Sequence, residues 1–141
     1  MMSGLEALRT FFSRPQPAPG IGALIGMRCT EIEPGRVVFA LVPGHEHDNP
    51  LNKMHGGIVC TMLDSAMSCA VHTALPAGVS YTTIEIKVNF DHSISVDTGE
   101  IHATGTVIKV GRKIAVAEGR VVDRAGDLLA HGTTTCLVLN P

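Results

Sequence analysis

A single stretch of this chain, Ile58 to Leu75, holds a helical hydrophobic period long enough for a major helix, with Ile58, Val59, Met62, Leu63, Ala66, Met67, Ala70 and Val71 recurring at three- and four-residue spacing. A helix this apolar has to be covered. Nearly everything after Gly78 reads as strand, most clearly Ile84, Ile86, Val88 and Phe90 alternating with Thr83, Glu85, Lys87 and Asn89, a pattern that predicts one packed face. Ile101 to Val110, Lys113 to Val122 and Asp127 to Leu139 follow as an antiparallel meander, with turns at Val110-Gly111-Arg112 and around Asp123 to Gly126. Upstream, Met27 to Glu33 and Arg36 to Val42 form a hairpin about Pro34-Gly35. About six strands and one long helix give an α+β chain in which the sheet curls around the helix to bury it.

The N-terminus carries a capping box, Ser3-x-x-Glu6, ahead of Leu5, Leu8 and Phe12 on one helical face. Prolines 15, 17 and 19 then predict an extended linker, so the reading is residues 1–20 as a short helix and linker and residues 21–141 as the main domain. Gly20-Ile-Gly22-Ala-Leu-Ile-Gly26 fits a dinucleotide fingerprint poorly, because it has one residue too many and a proline linker where the first strand belongs.

Composition narrows the function classes. With 45% hydrophobic and 17% charged residues the chain is apolar enough to leave room for a subunit interface. Eleven basic against thirteen acidic residues, net charge −2, give no basic field for nucleic acid. No stretch approaches the ~20 apolar residues of a membrane span, and the first residues lack a basic region ahead of an apolar core, so a cytoplasmic location is expected. The four cysteines form no C-x-x-C pair and are read as free thiols. His45 and His47 lack third and fourth ligands at recognisable spacing; a solvated loop and no metal are expected there.

Chemistry concentrates at the start of the long helix. Gly56 and Gly57 let a ligand approach the backbone, and the first N–H groups of a helix lack internal partners, so they can cradle a developing oxyanion. Asp64 falls among Val59, Met62, Leu63, Ala66 and Met67, where an ionised carboxylate is costly unless it is paired or used. A donor and a carboxylate together point to attack on a carbonyl.

Asn49, His55-Gly56-Gly57 and Asp64, followed by Thr83 to Phe90, resemble the hotdog-fold acyl-CoA thioesterases of the PaaI-like (phenylacetyl-CoA thioesterase) group. Gly99-Glu-Ile-His-Ala, Val110-Gly-Arg-Lys and Gly132-Thr-Thr-Thr-Cys-Leu-Val extend the likeness over most of the chain. The resemblance implies a hotdog fold and hydrolysis of an aromatic or medium-chain acyl-CoA without a cofactor. It also implies a homodimer with sites between subunits, and a pairing of such dimers. It makes Gly56 the N–H that polarises the thioester carbonyl and Asp64 the base or nucleophile. Asn49 and His55 would orient thioester and loop, Gly57 would contact substrate, and Thr83 or Ser80 would be the hydroxyl supporting the attacking water. Arg112 and Lys113 are candidates for the coenzyme phosphates, and Met54, Met62 and Met67 for a wall of the acyl site. Two other readings are open: a non-catalytic acyl-CoA-binding hotdog protein, and a hotdog dehydratase or hydratase with His55 as a second acid/base.

One geometric expectation is independent of the family. Eight residues separate Gly56 from Asp64, about 12 Å along a helix axis, too far for both to act on one carbonyl. A site using both needs a second chain.

Overall fold

In the computed structural model, which describes Met1–Pro141, Ser3 caps α1 (Gly4–Phe12) through the expected box: its Oγ accepts from the Glu6 N–H at 3.3 Å and its own N–H donates to the Glu6 carboxylate at 2.8 Å. Leu8 is buried, and the Gly4 N–H donates to the Leu75 carbonyl at 3.0 Å. A Cβ on Gly4 would lie 1.9 Å from the His72 carbonyl oxygen, so this helix sits flush against the end of the long one. After the proline linker, Ile21–Ile25 form a short helix, α2, which the sequence pattern does not predict.

Six strands make one antiparallel sheet: β1 (Arg28–Glu33), β2 (Arg36–Leu41), β3 (Ser80–Phe90), β4 (Ile101–Val110), β5 (Ile114–Val122) and β6 (Leu128–Leu139), in the order β1-β2-β4-β5-β6-β3. The opening hairpin and the closing meander are both present. Bulges in β1, β3 and β4 and at Leu129 of β6 add the twist that curls the sheet around α3 (Gly56–Thr73). This is the hotdog arrangement that the resemblance implies, with the sheet curled around the one long apolar helix.

Small inward residues set how closely helix and sheet approach. Ala103 and Gly105 on β4, Ala115, Ala117 and Gly119 on β5, and Ala130 and Gly132 on β6 are buried, and the three glycines pair side by side across their strands. A Cβ on Gly105 would come within 2.2 Å of the Ala66 carbonyl oxygen, and one on Gly119 within 2.9 Å of the Leu63 and Met67 side chains. Only hydrogen fits there, so the α3 backbone rests almost directly on the sheet. Val59, Met62, Leu63, Ala66, Met67, Ala70 and Val71 face inward. The far end is tied by the Pro34-Gly35 turn, where Gly35 at φ 77° donates its N–H to Thr73 Oγ1 at 2.8 Å.

Two expectations are corrected. Along β3 the alternating apolar residues do not form a packed face within the chain, since Ile84, Ile86 and Phe90 are 54%, 37% and 57% exposed. The strand is a sheet edge, and a bulge at Ile84 breaks its alternation. His47 is not on a solvated loop: it is buried, its Nε2–H donating to the Ile25 carbonyl at 2.7 Å while its Nδ1 accepts the Gly44 N–H at 3.0 Å. It locks the loop before α3 onto the end of α2. No helix is long and apolar enough to cross a membrane.

Candidate active site

The loop entering α3 is organised by the polar residues that the sequence singles out. Asn49 Oδ1 accepts the N–H groups of Leu51 at 2.9 Å and Lys53 at 3.3 Å, closing a turn in which Asn52 takes φ 58°. Asn49 therefore shapes the loop. His55 is the N-cap of α3: its N–H donates to the His47 carbonyl at 2.8 Å, and its Nδ1 accepts the Gly57 N–H at 2.8 Å. The Ile58 N–H goes back to the His55 carbonyl at 3.0 Å. With those two amides occupied, the Gly56 N–H is left without an intramolecular partner at the positive end of the helix dipole. His55 thus selects Gly56, and not Gly57, as the donor available to a ligand.

Asp64 sits two turns further along the helix and is only half-buried. The expectation that it lies within the apolar surface is corrected, because Val59, Met62, Leu63, Ala66 and Met67 turn to the sheet while Cys60, Thr61, Asp64, Ser65 and Cys69 form a partly open stripe on the other side. Met54, Met62 and Met67 are buried in the core, so they wall no acyl site.

Thr83 Oγ1 donates to Asp64 Oδ1 at 2.8 Å. Ser80, at the start of β3, is exposed and makes no bond to the carboxylate. The β3 bulge is responsible for the contact. Tyr81 and Thr83 pair with the buried Val138 and Cys136, whereas after the extra residue Ile84 it is Ile86, Val88 and Phe90 that pair with the inward-facing Thr134, Gly132 and Ala130. Thr83 and the later apolar residues therefore share the helix-facing side despite their opposite parity. Thr134 Oγ1 holds the bulge by donating to the Glu85 carbonyl at 2.8 Å.

Four side chains around Asp64 are pushed toward their neutral forms, Cys60 among them, first by burial. Burial pushes the Cys69 thiol up to about 12, reinforced by the neighbouring Cys29 and by Asp64, and burial raises the Tyr81 phenol to about 12. Cys136, paired with Thr83, is also raised, first by burial. Thiols kept protonated are poor nucleophiles.

The remaining expected residues divide between two ends of β3. Gly56 lies beneath Phe90, whose ring would be 3.0 Å from a Cβ placed there. Arg112 and Lys113, both exposed in the β4–β5 turn, lie at the other end: the Lys113 carbonyl accepts the Val138 N–H at 2.8 Å, and Val138 pairs with Tyr81. Tyr81 and Phe90 are roughly 30 Å apart along the strand. Within one chain, then, Asp64, Thr83 and the basic turn share one region and the free Gly56 amide occupies another. Phe90 and Tyr81 were not recognised from sequence. Phe90 reads there as one more member of an alternating apolar set, and only its seat over Gly56 distinguishes it.

A family model described as "Thioesterase superfamily" matches residues 51–130. The chain belongs to that superfamily. It is 30% identical over 118 residues to a protein of Halobacterium salinarum provisionally named an esterase, covering 81% of this chain and 77% of that one. Against human acyl-coenzyme A thioesterase 13 the identity is 25% over 138 residues, 96% of each chain. The E. coli PaaI protein from the phenylacetic acid degradation operon superposes with a TM-score of 0.82 at 15% identity, over 95% of this chain and 91% of that one. At that identity the last comparison concerns the fold alone. As a thioesterase the chain is a thioester hydrolase, and both the His55-capped start of α3 and Asp64 fall within the matched segment.

Proposed function

We propose that this thioesterase hydrolyses acyl-CoA thioesters in a site shared by two copies of the chain. The observation that carries the reading is the division of labour along α3: a free Gly56 N–H at its start, and a Thr83-bonded Asp64 about 12 Å away. In a twofold dimer with facing helices, Gly56 of one subunit meets Asp64 and Thr83 of the other, and two equivalent sites result. The unpaired edge of β3, with Ile86 and Phe90 half open beside it, offers a surface for that pairing. Exposed Ile84, Ile108, Ile114, Leu137 and Leu139 support a further pairing of dimers.

In this mechanism the thioester carbonyl accepts the Gly56 N–H, which stabilises the oxyanion as the carbonyl carbon becomes tetrahedral. Asp64 takes a proton from the attacking water, whose position the Thr83 hydroxyl helps to fix, or it attacks directly and water opens the resulting anhydride. The carbon–sulfur bond breaks, the electron pair leaves on the CoA sulfur, and the products are the free acid and CoA. Arg112 and Lys113 lie on the Asp64 side of the site, where the coenzyme phosphates would approach. The named human relative is an acyl-CoA thioesterase over almost its whole length, which supports the substrate class. His55 spends its Nδ1 on capping α3, which weakens a hydratase reading that needs it as a second acid/base.

Incubation with acetyl-, hexanoyl-, decanoyl- and phenylacetyl-CoA in the presence of a thiol reagent tests the proposal. Release of free CoA at rates above the buffer background is expected with at least one member; binding without release from any of them overturns the hydrolase assignment for this substrate class.

A further inference from the structure

A cavity of about 380 Å³ lies between the N-terminal segment and the main sheet. Its roof is the end of α1, the proline linker and the start of α2, and its walls include Phe11, Phe12, Cys29 and Phe39. The floor is Ser65 and Cys69, one turn apart on the open stripe of α3, with Ser65 next in sequence to Asp64. Resting on the acyl-CoA reading above, we propose that this cavity receives the acyl group of the thioester, so that the N-terminal segment of each chain selects the acyl chain for the Asp64 next to the cavity floor.

Position, shape and polarity support the assignment. The cavity meets the carboxylate's helix at its floor: Ser65 follows Asp64 in sequence, and Asp64 and the wall residue Cys29 both help to raise the Cys69 thiol. Phe12 meets Phe39 edge-on at 5.5 Å and Phe11 at 5.0 Å, giving an aromatic lining anchored to the buried core. No acidic residue lines the cavity; of its two cations, Arg14 stacks over the Phe11 ring at 4.9 Å and Arg28 pairs with Glu100 at 2.6 Å. Such a lining suits an uncharged apolar group. A cavity of roughly 150 Å³ suffices for benzene, so this volume accommodates a phenylacetyl group or a medium alkyl chain. Prolines 15, 17 and 19 restrict the roof, which makes it a semi-rigid gauge of acyl size.

Two substitutions of opposite sense provide the test. Ser65→Leu fills the floor and Phe12→Ala opens a wall, and each is checked for folding by circular dichroism. The readout is the ratio of kcat/KM for decanoyl-CoA to that for acetyl-CoA. Ser65→Leu should lower the ratio at least tenfold, and Phe12→Ala should move the optimum to longer chains. In parallel, NMR with labelled methionine methyls should detect a shift of Met27, which lines the cavity, when sodium decanoate is added, with smaller changes at the buried Met62 and Met67. If the protein hydrolyses the panel but neither folded variant changes the ratio, the acyl assignment is overturned and the hydrolase reading stands. If no thioester is hydrolysed, the hydrolase reading fails, and the Met27 response decides the cavity: a shift upholds an apolar acyl pocket, and none removes it.

Discussion

The hydroxyl of Thr83 donates to the carboxylate of Asp64 across 2.8 Å, joining the edge strand of the sheet to the middle of the helix that the sheet encloses. The bond holds one carboxylate oxygen, and in the mechanism proposed above the other would face the substrate or the attacking water.

Replacing Asp64 by Asn keeps the shape and removes the base. Turnover should fall ~10²- to 10⁴-fold with KM little changed, read by steady-state CoA release. A correctly folded variant with near-normal kcat would remove Asp64 from the mechanism. Thr83→Ala removes one hydrogen bond only, so a loss of about ten- to a hundredfold is expected, with Thr83→Ser recovering most of it. Ser80→Ala, on an exposed residue without a bond to Asp64, should remain close to the unaltered protein.

The shared site is tested by mixing two inactive proteins. Gly56→Pro deletes the free N–H at a helix start, where proline is tolerated, and the half-exposed Phe90 ring above it has room to move. When Gly56→Pro and Asp64→Asn subunits are exchanged, random pairing makes half the dimers mixed, and each mixed dimer holds one intact site. Activity should return to about one quarter of the unaltered level. Mass spectrometry of isotope-labelled chains confirms exchange; mixed dimers that stay inactive rule out the composite site.

Gly105→Ala should cost about 1–3 kcal/mol or more in a denaturant titration, because its Cβ would sit 2.2 Å from the Ala66 carbonyl oxygen and neither backbone can yield. Gly22→Ala is the contrast. A Cβ there would meet nothing nearer than Met27, at 3.7 Å or more, so stability should be unchanged or slightly raised. Equal stabilities for the two would show that the sheet's glycines do not set the height of the helix.

Alkaline pH should weaken the fold. Burial holds Cys29 up at about 11 and Cys69 and Tyr81 at about 12, whereas in the unfolded chain a thiol ionises near 8.5 and a phenol near 10. Between about pH 9 and 11 the unfolded state therefore binds fewer protons than the folded one, and stability falls as pH rises. The contribution is fully present below the unfolded values. Thermal midpoints should decline from pH 9 upward, with a shallower slope in the Cys29→Ala, Cys69→Ala double variant; a midpoint flat to pH 11 contradicts the burial of these groups.

Much of this molecule is determined by local sequence. Capping, helical spacing, strand alternation and turn residues act over a few positions, so α1, the long helix, the opening hairpin and the closing meander can be read directly from the residues that form them. The same holds for the loop from Asn49 to Gly57, whose side chains bond to their own neighbours. Faces were decided only by the tertiary structure. Helical spacing fixes the angle between Asp64 and Met67 but not which of them meets the sheet. That is settled by Gly105 and Gly119, distant in sequence, which admit the Ala66–Met67 side of the helix and leave Asp64 on the open stripe. Likewise, strict alternation puts Thr83 and Ile86 on opposite faces of β3. The single extra residue at Ile84, held by Thr134 from the neighbouring strand, turns both to the same side and brings the Thr83 hydroxyl to Asp64. A bulge is a relation between two strands, and it exists only once they pair.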